Sequence, residues 1–544
     1  MANPSKQSKA TASVDRGIGA PLPRSFGDPA FGDPAFGDPA IACTVLAAEL
    51  PIANCAPPEL LHGRTRKAGR VLFASRSGVS QSVVVTRAPL RLTVRGDTAC
   101  ISLLELSVAP LLRALRERMP TANWCGPDLH VPLFAPETDA TACDRDVLRE
   151  PSVFDPVRAL LGLVGDREAA AVAVGVYGAL GFDLVDRFEP LGPRRPDPND
   201  EADIELVLGL DVVRYDEDRG VVQVVTRGLP WEAMSAVQDR HAATLLALQQ
   251  PDDRAEASGT CGVCVAEQPD QAFLDGVVQL REHIAAGDVF QAVLSRAVTW
   301  ECSADSLEVF KRLADREPSP YTFHLELERG ALFGASPETC VRVADGQVEI
   351  RPIAGTTQRG AEHETDQRLA LALLFDRKER SEHVMLLDLA RNDIARVAVA
   401  GTTEVVQQFA VEKYSRLQHL VSRVRGTLRP DLDALHAYRA AANMGTLSGA
   451  PKARATEIIR QLEPVGRGFY GGAVVCLFAD GQMDSCIVIR SIRAIDGVYR
   501  AQAGAGIVWH SDPQRELQET QRKLRAVSEV MASFAAQPVV EVRA

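Results

Sequence analysis

Two stretches place carboxylates three residues apart within patterns that predict helices. KERSEHVMLLDLARND (378–393) carries Glu379 and Glu382, and SDPQRELQETQRKLRA (511–526) carries Glu516, Glu519 and Lys523 at i, i+3 and i+7. Residues so spaced share one helix face. Like charges side by side cost energy unless a cation sits between them. Two such helices could together hold one hard divalent cation, and oxygen ligands completed by water suit Mg²⁺. Lys523 would remain to meet an anionic group. A solvated helix face, with Lys378 and Arg380 as partners, also accounts for the first pair. The apolar run VMLLDLA directly after it carries that helix into a core, where carboxylates are out of place unless they have a task.

Three weaker signals accompany these. Glu338 lies in ASPET (335–339), shortly before IRPIAGTTQRG (350–360) with Gly355 and Thr356. Taken alone, each reads as turn residues. QAGAGIVWH (502–510) has small residues at Gly504 and Gly506, where backbone N–H groups can approach an anion closely. NMGTLSGAPKARA (443–455) presents Thr446 ahead of a helix opening after Pro451, a place where an anion can bind but where capping alone also explains the residues.

The elements that must position these groups are legible in outline. VLFAS (71–75), SVVVTR (82–87) and LRLTVRG (90–96) read as strands, and APLLRALRERM (109–119) as a helix. PRRPDPNDEAD (193–203) is a polar loop, and 205–225 reads as two strands around a charged turn. PDDRAEASGTCGVC (251–264) is the best linker. Beyond it, 273–300 reads as a helix then a strand. Helices are expected at 365–395, 431–443, 451–463 and 513–534, with strands at 471–481 and 484–495. Strands and helices do not alternate regularly, which predicts an α+β fold. Residues 26–40 repeat FGDPA three times, and residues 1–40 are read as a disordered tail. The remainder divides into 41–255 and 265–535.

The bulk numbers narrow the class of function. The chain has 544 residues, 46% hydrophobic and 24% charged, with net charge −12 and pI near 5.5. Such acidity argues against nucleic acid as partner and suits a small-molecule enzyme. Apolar runs are too short for a membrane span, no signal core opens the chain, and the cytoplasm is the default compartment. Eleven scattered cysteines suit reduced thiols better than a disulfide framework. Cys261 and Cys264 lack the second pair that a four-ligand zinc site needs, so they are expected to be ordinary thiols.

Taken together, ASPE, IAGT, EHVMLLDLARND, HLVS (419–422), GTLSGAPKARA, FYGG (469–472), CIVIRS (486–491), AGAGIV and ELQET resemble the chorismate-utilising enzymes, most closely the synthase subunit of anthranilate synthase, component I. The match covers most of 265–530 in order. SVFDPVRALLGLV (152–164) and LGFDLVDRFE (180–189) extend it loosely, making 41–255 the N-terminal domain and 265–535 the chorismate-binding domain. The resemblance implies antiparallel sheets flanked by helices around a central cleft. It implies Mg²⁺ held by Glu382 and Glu519, with Glu379 and Glu516 supporting. It makes Glu338 the general acid at the C4 hydroxyl, with Mg²⁺ sharing that work. Tyr470, Arg490, Lys523, Gly504 and Gly506 would hold the substrate carboxylates, Gly355, Thr356 and Thr446 would shape the pocket, and His419 would serve pyruvate elimination.

Two positions bear on the nucleophile. Water-adding relatives carry a Lys base where this chain has Gln291, and a neutral amide cannot deprotonate water. Aminodeoxychorismate synthases carry Lys where this chain has Ala354. Both substitutions imply direct amination at C2. The regulatory motif LLES of tryptophan-sensitive relatives reads LFAS here, with Ala74 before Ser75, and NPSPYM reads EPSPYT, keeping Pro318, Ser319 and Tyr321 but changing Glu317 and Thr322. Weak or absent inhibition by tryptophan is therefore expected. No room follows the last helix for a glutamine amidotransferase domain, so ammonia is expected from a separate glutaminase subunit in a hetero-oligomer. Two alternatives stand beside this reading. One is a 2-amino-2-deoxyisochorismate synthase, which aminates without eliminating pyruvate. The other is an inactive binding or regulatory subunit, against which the intact carboxylate set argues.

Overall fold

Alternate residues of a strand point to opposite faces of its sheet, and this chain uses that rule to bury both faces of two large sheets. The computed structural model describes residues 41, 43–65, 69–76, 80–133, 148, 151–163, 174–189, 191–251, 259–413 and 417–535. The FGDPA repeats lie outside them. One sheet has twelve strands and the other thirteen, and neighbouring strands run antiparallel. Both sheets draw strands from either side of the 251–264 segment. In the first, Val71–Ser75 pairs with Tyr321–Glu326. In the second, Gly175–Leu180 pairs with Ala473–Phe478.

The sheets face each other across Phe73, Val85, Tyr177, Val207, Phe323, Leu325, Val474 and Cys486, all buried. The helices Arg377–Val397 and Ala434–Ala441 belong to the core on the second sheet. Ser306–Arg316 and Pro513–Ala532 belong to the core on the first. Asp270–Ala286 and Lys452–Leu462 close a smaller core over Ala292, Leu294, Ala505 and Ile507. This is the expected α+β architecture of antiparallel sheets with helices outside. No described helix is long and apolar enough to cross a membrane.

Several elements depart from expectation for local reasons. The stretch 205–225 forms three strands, Ile204–Gly209, Asp211–Asp216 and Val221–Gly228. The first lies in the second sheet and the other two in the first, so the chain changes sheets at the fully buried Leu210. The single helix expected over 365–395 is two, His363–Phe375 and Arg377–Val397. Asp376 lies between them, and its Oδ1 accepts the Glu379 N–H at 3.0 Å, an N-cap that starts the second helix. The strand expected over 484–495 breaks into Met483–Ile487 and Ser491–Ile495, with Arg490 at φ 51° between them. The expectation of ordinary thiols is corrected at one site. Cys261 is disulfide-bonded to Cys302, with which it forms an isolated antiparallel bridge, while Cys264 is free and exposed.

Candidate active site

The strands Gln291–Glu301 and Val498–Ile507 pair so that Val293 opposes Gly506 and Ser295 opposes Gly504. Period two sends Ala292, Leu294, Ala505 and Ile507 into the helix-covered core. The bare faces of both glycines therefore turn the other way. A methyl group on Gly506 would stand 2.8 Å from Gln291 Nε2, and one on Gly504 would meet Val293 Cγ1 at 2.9 Å and the Leu294 carbonyl at 3.1 Å. A larger residue at 504 would crowd the strand beside it, and one at 506 would push the Gln291 amide aside. Gln291 is buried and its Oε1 has no hydrogen-bond partner among the described residues.

Glu338 follows the strand Ala331–Ser336, and its backbone carbonyl accepts the Ile487 N–H at 3.0 Å. Its side chain is 6% exposed, and Oε1 has no hydrogen-bond partner among the described residues. Burial pushes its pKa up to about 7, against the opposing pull of the Thr446 hydroxyl and the Lys523 charge. Thr446 Oγ1 is buried near this carboxyl, with no well-formed hydrogen bond among the described residues. A buried carboxyl titrating near neutrality is a general-acid candidate. The Thr446 loop is pinned to the strand beside it: Val293 N–H donates to the Ser448 carbonyl at 2.9 Å, and Ser448 Oγ donates to the Asn443 carbonyl at 2.7 Å.

On the second sheet, the strand Ile353–Gln358 pairs with Leu417–Thr427 through a bulge at Gly355, whose φ is +74°. That conformation favours glycine. A methyl group there would lie 3.1 Å from Glu379 Oε2, so the first carboxylate helix faces this bulge. Thr356 opposes His419. Burial lowers the His419 pKa to about 4, reinforced by the Arg490 charge and opposed by the Gly355 backbone and Glu412. The ring is therefore neutral at pH 7.

Arg490 joins the two sides. Its Nη1 donates to the Lys523 carbonyl at 3.2 Å and lies 3.7 Å from Glu317 Oε1. Burial depresses its pKa, while Glu317, Tyr470 and Glu519 oppose that. Lys523 Nζ donates to the Gly504 carbonyl at 2.7 Å and to Glu519 Oε1 at 2.9 Å. Tyr470 is buried, its pKa pushed up by burial, and it reaches the Gly504 backbone. Glu516 is buried in the first turn of the same helix as Glu519, and Glu382 is half-buried on the helix of Glu379. Glu338, Thr446, Gly355, His419, Glu379, Arg490, Tyr470, Gly504, Lys523 and Glu519 are thus linked by successive interactions. Glu379, Glu382, Glu516 and Glu519 do not converge as a ready-made cluster: among the described residues, no three of their carboxylates bring oxygens within 4.8 Å of one another.

The two segments expected from the resemblance to carry degenerate regulatory motifs also meet. Ser75 opposes Tyr321 in the first sheet. The Tyr321 hydroxyl donates to Asp484 Oδ1 at 3.0 Å and lies 3.0 Å from Thr339 Oγ1. Burial raises the Asp484 pKa, and the Ser75 hydroxyl is among the groups that oppose this. Ser319 is buried just ahead of this strand and Pro318 is exposed.

One structural pair escaped the sequence reading. Arg467 Nε and Nη2 donate to Glu463 at 2.9 and 2.6 Å, and its Nη1 and Nη2 donate to the Leu447 and Val293 carbonyls at 2.6 and 2.7 Å. Glu463 Oε1 also accepts the Ser295 N–H at 2.8 Å and hydroxyl at 2.6 Å. This pair ties the Thr446 loop to the strand opposite the glycines. Its only trace in the sequence is an acid and a base four residues apart.

The chain matches the family model described as chorismate binding enzyme over residues 117–529. It is 37% identical over 500 residues to anthranilate synthase component 1 of Vibrio cholerae serotype O1, covering 89% of this chain and 95% of the relative. It is 37% identical over 511 residues to the pyocyanine-specific anthranilate synthase component 1 of Pseudomonas aeruginosa, covering 90% and 94%. Among solved structures, anthranilate synthase component I from Streptococcus pneumoniae superposes with a TM-score of 0.66 at 26% identity, covering 88% of this chain and 99% of that one. The match runs through the glycine-lined strands, the buried Glu338 and both carboxylate helices, and on it the chain belongs to the chorismate binding enzyme family.

Proposed function

We propose that this chain is an anthranilate synthase component I, aminating chorismate at C2 with loss of the C4 hydroxyl and elimination of pyruvate. The observation that carries the reading is the buried Glu338, titrating near 7 beside Thr446 and within the field of Lys523. A carboxyl that keeps its proton near neutral pH can hand it to the departing C4 oxygen. The neutral Gln291 amide cannot take a proton from water, which leaves ammonia as the nucleophile. Ala354 offers no amine for covalent attack on the ring. The neutral imidazole of His419 can accept or relay the proton released as pyruvate leaves. Arg490, Lys523, Tyr470 and the Gly504 and Gly506 backbone would hold the two substrate carboxylates.

Glu382 and Glu519 would hold Mg²⁺, with Glu379 and Glu516 in support. The donor set fits in kind: all four are oxygen ligands, on one helix that faces the Gly355 bulge and one tied to Gly504 through Lys523, and Mg²⁺ needs only one or two carboxylates beside water and substrate oxygens. When bound, Mg²⁺ would draw electron density from the substrate's ring carboxylate. Ammonia would come from a separate glutaminase subunit, a partner suggested by the relatives' designation as component 1.

The test uses purified protein with chorismate, Mg²⁺ and ammonium at alkaline pH, read by anthranilate fluorescence and product mass. Anthranilate with pyruvate is the expected result. An aminated product that keeps its enolpyruvyl group would make the chain an aminodeoxyisochorismate synthase. Binding without turnover would make it a regulatory subunit.

A further inference from the structure

The strand Tyr321–Glu326 sends Tyr321, Phe323 and Leu325 into the core between the sheets. By the period of two, His324 and Glu326 point to the other face, toward the helices Pro58–Arg64 and Ser306–Arg316. There His324 Nδ1 lies 3.1 Å from His62 Nε2 and 3.9 Å from Glu326 Oε1. The three groups' ligand atoms all fall within 4.8 Å of one another, and both imidazoles are fully buried. His324 Nε2 lies 3.1 Å from Ser306 Oγ. The Phe333 ring stacks on His324 at 5.5 Å, and Phe310 meets it edge-on at 5.6 Å.

We infer that His62, His324 and Glu326 form a second metal site, for a borderline divalent cation of the Zn²⁺ class and separate from the Mg²⁺ carboxylates. Metal–nitrogen bonds of about 2.0–2.1 Å in a tetrahedral site set ligand atoms roughly 3.3 Å apart. The two imidazole nitrogens already stand near that spacing, while the Glu326 oxygen lies about half an ångström beyond it from His324 and within 4.8 Å of His62, so it must close in to bind. With Nε2–H donated to Ser306, His324 Nδ1 carries the lone pair, the usual outer-shell arrangement for a ligating histidine, and a cation between His62 Nε2, His324 Nδ1 and Glu326 Oε1 would replace the hydrogen bond between the two imidazoles. Two imidazoles and one carboxylate suit Zn²⁺ and not Mg²⁺, which prefers oxygen throughout. Ser306 and Glu326 also line a surface cavity of about 390 Å³ with Asp305 and Asp496, so the carboxylate end of the trio borders open space while the two imidazoles lie behind it. A bound cation would pin the helix Pro58–Arg64 to the strand that begins at Tyr321. The competing structure is a plain hydrogen bond between the two histidines, which would bind no metal.

The test strips the full-length protein with chelator and titrates it with Co²⁺ in saturating Mg²⁺, following visible d–d absorption and thermal stability. One equivalent of Co²⁺ should bind with the strong absorption of a low-coordinate nitrogen-containing site, raise Tm, and be displaced by Zn²⁺. Glu326→Gln should weaken Co²⁺ binding about tenfold or more, and His324→Phe should abolish the band. No band in the wild type, or a band unchanged in Glu326→Gln, overturns the site. Those two measurements decide the matter even if His324→Phe does not fold.

Discussion

Gln291 lies against the bare face of Gly506, its Nε2 2.8 Å from where a methyl group on that glycine would be. The amide and the glycine belong to adjacent strands of one sheet, two residues out of direct register. The side chain at 291 therefore determines what chemistry stands beside the glycine backbone. A lysine there would bring an amine that can deprotonate water. We expect Gln291→Lys to lower amination of chorismate about 10²-fold, the lower end of the range for a misplaced acid–base group. A 2-hydroxylated product should appear by mass spectrometry. An unchanged rate with only aminated product would mean that residue 291 does not select the nucleophile.

Glu338 should impose a pH limb on the reaction. Its carboxyl pKa is raised by burial to about 7, so the acid form is lost as pH rises through 7. At a fixed concentration of free NH₃, kcat/KM for chorismate should fall above that point. Glu338→Gln should lose about 10²–10⁴-fold in rate together with the limb. The same shift acts on folding. The folded state binds this proton more tightly than the unfolded chain, so the contribution is fully present below about pH 4.5 and lost as pH rises through 7. It amounts to about 3 kcal/mol. Urea unfolding of Glu338→Gln at several pH values should show a flatter dependence between 4.5 and 7.

His419 has the opposite sign. Its pKa is lowered to about 4, chiefly by burial, so the folded state resists protonation. Stability is unaffected above about pH 6.5 and declines as pH falls toward 4. The neutral ring persists across the working range, so no activity limb near 6.5 should belong to it. Replacing it with Met should slow anthranilate formation about 10²–10⁴-fold, while chorismate consumption continues and an aminated enolpyruvyl product accumulates. Equal loss of both rates would assign His419 to amination and not to elimination.

Ser75 and Tyr321 are already committed to the buried Asp484. A ligand recruiting either hydroxyl would have to break a buried hydrogen bond, at a cost of about 1–3 kcal/mol. Ala74, in place of an acidic residue, cannot hold an amino group, and the nearby Asp484 carboxylate is already engaged by Tyr321 and Ser75. Initial rates should therefore be unchanged by micromolar tryptophan. Potent inhibition would show that the site binds despite these substitutions.

The carboxylate helices were legible because helical spacing and a following apolar run are local properties. Glu338 and Gly355 were legible only through their motifs. What raises the Glu338 pKa is burial beside segments more than a hundred residues away, and what requires glycine at 355 is a bulge opposite His419. The split of 365–395 turned on Asp376 capping a new helix, a signal readable in hindsight. The change of sheet at Leu210 has no local mark, because an apolar residue between two apolar strands reads as continuation. The disulfide partner of Cys261 is 41 residues away, whereas spacing drew attention to Cys264.

The least legible feature is also the one whose removal should be felt most widely. Arg467 and Glu463 are both nearly fully buried, and their hydrogen bonds gather the Leu447 carbonyl, the Val293 carbonyl and Ser295. Gln502, two residues before Gly504, donates to the Ser295 hydroxyl at 2.8 Å. Replacing Arg467 with Met leaves a buried carboxylate without its counter-charge, which should cost about 3–5 kcal/mol. Adding Glu463→Met should recover part of that loss, since an apolar pair of similar volume avoids the unpaired charge. Stability and catalysis should separate in the double variant. The chain regains part of its Tm, but the Leu447 carbonyl beside Thr446 is no longer held, so kcat stays low. Recovery of both together would mean that the pair stabilises the fold without positioning the Thr446 loop.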